Sequence, residues 1–274
     1  MKITIEHKIP TRVLTPASGY LTEYSHTLNP YVGCTFACSY CYVRRMPVAL
    51  FRGSPWGSWV DVKQNAADHL RTELKRANQK GPVTIFLSSS TDPYQPVEYR
   101  EKITRSFLEV LAENPPAFLF VQTRSPLVVR DIDLFCQLKN RIRISLTIET
   151  DRDDVRRAFA PLSPSIPARL SALKRLTAAG VPTQAAVSPL LPCTPAFPKT
   201  LSAVTSRVCI DDFFRGDGSG GKRTEQLGIR QIFHQNGWDE WYDKEAYTRL
   251  IADFQRDFKG QIYLSQTGFL PESV

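Results

Sequence analysis

The sequence predicts an α/β fold, a partial (β/α)6 TIM-like barrel with a C-terminal helical and strand extension. Three observations predict it. Short apolar runs alternate with segments whose apolar residues recur at helical spacing. The linkers between them are short, which favours parallel strands joined by crossover helices. About six such units, residues 24–28 included, fit in the roughly 180 residues that end near Pro192, whereas a closed eight-fold barrel needs ~250.

Residues 2–5 begin the chain as a short strand, and Pro10, Pro16 and Gly19 make 7–30 an extended lead-in. Pro47, Gly53, Pro55 and Gly57 make 46–59 a loop. Val62, Ala66, His69, Leu70 and Leu74 then share a helix face. Residues 83–87 form an apolar run after Gly81-Pro82 and predict a buried strand. A helix face of Ile103, Phe107, Val110 and Leu111 follows, then a strand at 118–122, a short helix at 129–138 and a strand at 142–148. Leu170, Leu173 and Leu176 mark another helix, with Ser165 as N-cap, Pro167 in its first turn and Gly180 at its end. The strand at 181–187 completes this part. Beyond Pro192 the pattern loosens to a strand at 207–210, a helix over 239–258 and a last strand at 261–264. Tyr247, Leu250, Ile251, Phe254 and Phe258 give that helix an apolar face that needs cover. The expected division is a barrel with its lead-in at 1–200 and an extension at 201–274 packed back on it.

Of the 274 residues, 42% are hydrophobic and 23% charged, as in ordinary globular proteins. No apolar run reaches the ~18–20 residues a membrane helix needs, and the first residues lack a signal peptide's apolar centre. The expected location is the cytoplasm, where clustered cysteines mean metal or catalysis. The net charge of +8 favours an anionic partner such as nucleic acid.

Cys34, Cys38 and Cys41 are spaced C-x3-C-x2-C. Three thiolates so close in sequence can wrap a small metal centre at little entropic cost. A [4Fe–4S] cluster normally takes four protein thiolates, so three leave one iron open to another molecule. Zinc is the alternative, with His26, Cys136, Cys193 or Cys209 as fourth ligand, although zinc sites usually carry C-x2-C twice and only one such pair exists here. Cys136 and Cys209 read as packed core thiols. Cys193 follows the strand end at Ser188-Pro189 and is a candidate to face the site.

Cys34-Thr-Phe-Ala-Cys38-Ser-Tyr-Cys41 resembles the cluster motif of the radical S-adenosylmethionine superfamily. Its flanks, Asn29-Pro-Tyr-Val-Gly and Tyr42-Val-Arg-Arg, resemble the branch related to spore photoproduct lyase, the DNA-repair-photolyase-like proteins. Ser88-Ser-Ser-Thr-Asp-Pro-Tyr-Gln-Pro and Pro164-Ser-Ile-Pro-Ala-Arg-Leu agree with it. The resemblance implies that the open iron binds S-adenosylmethionine, whose reductive cleavage yields a 5′-deoxyadenosyl radical that abstracts hydrogen from a substrate. It also implies the partial barrel and an electron donor such as flavodoxin or ferredoxin.

By the same resemblance Ser90, Thr91 and Asp92 meet the methionine ammonium, for which hydroxyl and carboxylate oxygens are acceptors. Arg124 meets its carboxylate, Ser145 lies near the ribose with Glu149 as another candidate, and Tyr40 lies against adenine. Tyr42 matches a tyrosine that relays a hydrogen atom in the lyases. Those lyases carry a cysteine in the strand-end segment, where this chain has Ser88, Ser89 and Ser90, and a serine hydroxyl is a poor hydrogen-atom donor. Cys193 is the remaining candidate for that role. The substrate expectation is nucleic acid, repaired or modified; the alternatives are radical modification of a protein, peptide or small molecule, and a non-enzymatic zinc-stabilised nucleic-acid-binding module. Gly216-Asp-Gly-Ser-Gly-Gly-Lys222 matches G-x4-G-K, but Arg223 stands where magnesium needs a hydroxyl, so it reads as a surface loop.

Overall fold

Strands that are apolar on both faces need cover on both, and in this chain crossover helices supply one cover and the barrel's own interior the other. The computed structural model describes residues 2–216 and 218–272; Asp217, inside the glycine-rich loop, lies outside the described residues. Their strands are β1 (Thr4–Lys8), β2 (Leu14–Pro16), β3 (His26–Leu28), β4 (Tyr31–Val32), β5 (Trp59–Lys63), β6 (Thr84–Leu87), β7 (Phe118–Thr123), β8 (Ile142–Thr147), β9 (Thr183–Val187), β10 (Arg207–Ile210) and β11 (Gln261–Leu264). The main sheet runs β2-β3-β6-β7-β8-β9-β10-β11 and is not closed. All its pairings are parallel except β2 with β3. This is the predicted partial barrel, with β10 and β11 continuing the same sheet beyond residue 200.

The outer layer packs Ile85, Leu119, Val121, Ile144, Leu146 and Ala185 against helix residues such as Leu70, Leu74, Phe107, Leu111, Leu173 and Leu176. The interior holds Tyr24, Phe86, Phe118, Phe120, Ala186, Cys209 and Phe269. Phe86 and Phe120 stack at 5.0 Å and Tyr24 meets Phe86 edge-on at 5.4 Å, pairings that each add about 0.5–1.5 kcal/mol beyond area burial.

Three local expectations change. Val62 belongs to β5, which pairs with β1 in parallel and β4 antiparallel in a separate three-stranded sheet. The spacing of Val62 to Ala66 fits a helix equally well, so periodicity alone did not separate strand from helix; the helix spans Ala66–Asn78. The 46–59 loop contains a short helix, Pro47–Leu50. The helix expected over 239–258 starts at Lys244, capped by Asp243 accepting from the Glu245 amide. Its face packs as expected, with Tyr247, Leu250, Phe254 and Phe258 buried on the main core.

The final segment enters the barrel floor. Tyr24 Oη donates to the Phe269 carbonyl (2.7 Å) and Gln184 Nε2 to that of Gly268 (3.0 Å). Arg143 and Arg207 both reach Glu272, at 2.6 and 2.8 Å. Among the described residues no helix is long and apolar enough to cross a membrane.

Candidate functional site

The cysteine loop leaves β4 through Gly33, at φ +91°, where a Cβ would lie 2.5 Å from the Trp59 carbonyl oxygen. Only glycine fits this turn. The loop is then pinned through its backbone. Arg44 donates from Nε to the Cys38 carbonyl (2.8 Å) and from Nη2 to that of Ala37 (2.6 Å). Gln95 Nε2 donates to the Gly33 carbonyl (3.0 Å), and its Oε1 accepts from the Thr35 amide (3.0 Å). Thr91 Oγ1 donates to the same Gly33 carbonyl (2.5 Å). The cysteine loop and the segment after β6 are thereby one rigid unit.

The three thiols fit a cluster by the chemistry around them. Burial pushes all three up, Cys41 to about 11, so unliganded they stay protonated. Backbone donors lower the rise at two of the sulfurs, the Phe36 amide at Cys34 and the Val43 amide at Cys41. Hydrogen bonds to cysteine sulfur are a means by which proteins tune iron–sulfur clusters. Among the described residues no three His, Cys, Asp or Glu side chains converge as ligands of one ion do.

The strand ends form the mouth above this loop. Ser88 leaves β6 at φ +78°, uncommon for a residue with a side chain, and turns 89–92 across the opening. Its buried Oγ has no partner among the described residues. Asp92 ties β6 to β7: Oδ1 accepts from the Tyr94 amide (2.9 Å) and Thr123 Oγ1 (2.7 Å), and Oδ2 from the Arg124 amide (2.9 Å). Burial raises its carboxyl and these donors oppose the rise. Three of a carboxylate's roughly four acceptor positions are thus filled. Thr91 is similarly committed to Gly33, while Ser90 is held by its amide on Asn29 Oδ1 at 3.1 Å.

Arg124 and Tyr40 meet at Glu149. Arg124 Nη1 donates to Glu149 Oε1 (2.7 Å) and to Tyr40 Oη (2.8 Å), and the Tyr40 hydroxyl donates to the same Oε1. Arg169 Nη1 holds Oε2 from the other side at 2.6 Å. Burial works against the Glu149 carboxylate, but Arg124, Arg169 and Tyr40 together keep its pKa down at about 2. The helix that follows begins at Asp153, with Arg152 at its N-cap position.

Ser145 lies deeper, fully buried in β8 between Gln122 and Gln184 in register, and accepts from Gln184 Nε2 at 3.1 Å. The Tyr42 hydroxyl donates to the Ser89 carbonyl, placing that ring between the cysteine loop and the turn after β6. Cys193 is buried in the main core cluster that also holds Phe197 and Phe254, with Asp151, Asp253 and Arg152 as its charged neighbours. The backbone there is anchored to the segment after β8, with the Thr150 hydroxyl donating to the Pro192 carbonyl (2.6 Å) and Thr194 bound to Asp151. Cys136, on an exposed helix position, and Cys209, in the barrel interior, do not join the loop.

Sequence reasoning missed Arg44, Gln95 and Arg169. Arg169 carried one signal: it falls on the helix face defined by Ile166, Leu173 and Leu176, where a charge is out of place.

Residues 28–193 match the family described as the Radical SAM superfamily. An uncharacterized protein of Methanocaldococcus jannaschii is 38% identical over 167 residues, 61% of this chain and 61% of the relative's length. An uncharacterized protein of Mycobacterium bovis is 25% identical over 262 residues, covering 94% and 72%. In three dimensions a mutant of spore photoproduct lyase superposes with TM-score 0.68 at 16% identity, over 95% of this chain and 81% of the other. Another, with bound AdoMet and dinucleoside spore photoproduct, gives 0.63 at 15% identity with the same coverage. Streptococcus suis SuiB bound to precursor peptide gives 0.55 at 13%, over 87% and 48%. At these identities the likeness is one of fold.

Proposed function

The chain belongs to the radical SAM superfamily, and on that premise we propose that Cys34, Cys38 and Cys41 hold a [4Fe–4S] cluster and that the mouth above it binds S-adenosylmethionine. When bound, the two supply reductive carbon–sulfur cleavage and hydrogen-atom abstraction from a substrate. One observation carries the reading: the thiol loop and the strand-end segment are bolted together through Gly33, Thr91 and Gln95. A ligand reaching from the cysteines to the strand ends thus meets a fixed surface. Preorganisation of this kind removes the cost of ordering a loop at each turnover.

The chain's own residues then have distinct tasks. Arg124 presents cationic charge for a carboxylate. Ser90, Thr91 and Asp92 offer the oxygens that remain for an ammonium, with one position left on the Asp92 carboxylate. Tyr40 and Tyr42 wall the loop, and the apolar layer of Phe36, Tyr40, Leu191, Phe213 and Phe233 excludes water beside it.

Nucleic acid is the substrate class we favour, supported by the net charge of +8 and by a fold shared with a protein solved with a dinucleoside spore photoproduct. A peptide substrate is the second reading, on the likeness to a chain solved with its precursor peptide. A low-potential protein such as flavodoxin or ferredoxin is the proposed electron donor.

Anaerobic reconstitution tests the class. Expected are about four irons and four sulfides per chain, a visible absorption band, and 5′-deoxyadenosine release on reduction with S-adenosylmethionine present. Replacing Cys34, Cys38 and Cys41 by alanine removes all three. A cluster-loaded protein that releases no 5′-deoxyadenosine overturns the proposal. Incubation with ultraviolet-irradiated DNA, tRNA and peptide pools separates the substrate readings by which pool acquires or loses mass.

A further inference from the structure

Arg169 is an arginine in a place that helix stability does not explain. It is fully buried, and its Nε and Nη2 have no partner among the described residues. It sits in the first turn of the helix Ile166–Ala178, its amide bonded to the Ser165 carbonyl at 3.2 Å, where the helix dipole disfavours positive charge. Burying a guanidinium with unmet donors is costly unless something offsets it. What it touches is the Thr147 carbonyl at 3.0 Å and Glu149 Oε2 at 2.6 Å.

The far side of Glu149 carries the other cation. Both side-chain bonds of Arg124 use Nη1, so its Nε and Nη2 have no partner among the described residues. That edge is the one that grips a carboxylate with two parallel hydrogen bonds. Counting only the side chains bonded to one another at Glu149, one carboxylate between two guanidiniums leaves a net charge of about +1, with the Asp92 carboxylate on the backbone side of Arg124. Without Arg169 the sum at Glu149 would be zero, and Arg124 would be a neutralised partner with no surplus for an incoming anion.

We propose that Arg169 is a positioning residue: by holding Glu149 from behind, it keeps Arg124 oriented by Tyr40 and Glu149 yet cationic towards the carboxylate of S-adenosylmethionine. The inference rests on the function proposed above and adds a residue that does not itself touch the ligand.

The test is S-adenosylmethionine binding to cluster-reconstituted protein, by anaerobic equilibrium dialysis, with iron and sulfide measured on each sample. Arg169→Gln is expected to weaken binding at least about tenfold, the scale of one charge-assisted contact, at unchanged iron content. In turnover the loss is expected in KM for S-adenosylmethionine more than in kcat. Arg169→Lys keeps the charge and is expected to stay within about threefold of wild type. The deciding variant is Arg169→Gln with Glu149→Gln. It restores the net charge that Arg124 carries alone, and binding is expected to recover most of the loss. Unchanged affinity in Arg169→Gln overturns the proposal, and so does a double variant as weak as the single, since that pattern marks a structural role. If Arg169→Gln does not fold, the double variant decides by itself, weak binding overturning the proposal. Wild-type protein that carries its cluster and binds no S-adenosylmethionine would instead refute the proposed function.

Discussion

The barrel contains two arginine–glutamate–arginine groups, one at each end, and they do different work. At the mouth Glu149 lies between Arg124 and Arg169. At the floor Glu272 lies between Arg143 and Arg207. The formal charges match. The surroundings do not: Glu149 is buried, whereas the Glu272 side chain is 39% exposed. Arg207 is also committed elsewhere, donating to Gln184 Oε1 at 2.9 Å and stacking on Tyr263 at 3.6 Å. The floor group fastens the final segment into the barrel, although Arg143 Nε there is buried without a partner among the described residues. The mouth group keeps one guanidinium edge open. Identical residue types thus make a half-exposed clasp in one place and a buried group in the other, and under the proposed function it is the buried group, with the open edge of Arg124, that receives an anion.

The largest expected effect lies at the mouth. Glu149→Gln leaves two buried guanidiniums facing a neutral group, and denaturant unfolding should show a loss of about 3–5 kcal/mol. A loss under 1 kcal/mol would mean that the mouth group is as dispensable as a surface pair, and the contrast would fall.

Asp211, at the end of β10, sharpens the point with the opposite sign. Its carboxyl is buried without a cation against it, which raises its pKa from 3.8 to about 6. An acid with a raised pKa contributes stability that is fully present below the unfolded value and is lost as pH rises through about 6. Asp211→Asn should therefore be more stable than wild type at pH 8 by up to about 3 kcal/mol and nearly equal to it at pH 4. Glu149 runs the other way, its stabilisation present above 4.5 and lost only as pH falls towards about 2. Stability curves for Asp211→Asn parallel to wild type from pH 4 to 8 would contradict the assignment.

The smallest effect belongs to the floor. Glu272→Gln removes a half-exposed, solvent-screened pair partner and should cost about 1 kcal/mol or less, with 5′-deoxyadenosine release unchanged. A variant that folds normally yet loses S-adenosylmethionine cleavage would show that the two ends are coupled.

What was legible in the chain was local. The Cys34, Cys38 and Cys41 spacing lies within one short loop, and apolar runs such as 83–87 and 118–122 announce strands buried on both faces. The helix Ile166–Ala178 followed from leucine periodicity, Pro167 and Gly180. Arg124 and Glu149 were legible as strand-end residues, but not their pairing, because side chains on β7 and beyond β8 become neighbours only once those strands align in parallel. Cys193 shows the converse: its position after a strand end was legible, and its burial in the main core cluster was not.

The sequence by itself determined the chemistry that needs adjacent residues: a three-thiol loop, an alternating α/β order and a set of polar strand ends. Tertiary structure alone decided which charges meet. Arg169 is 20 residues from Glu149, and Arg143 is 129 from Glu272. Periodicity reports which face a residue takes within its own element. Whether a buried arginine spends its charge on a partner or keeps it for a ligand depends on what the neighbouring elements place within about 3 Å of it, and that is set by sheet register and helix docking.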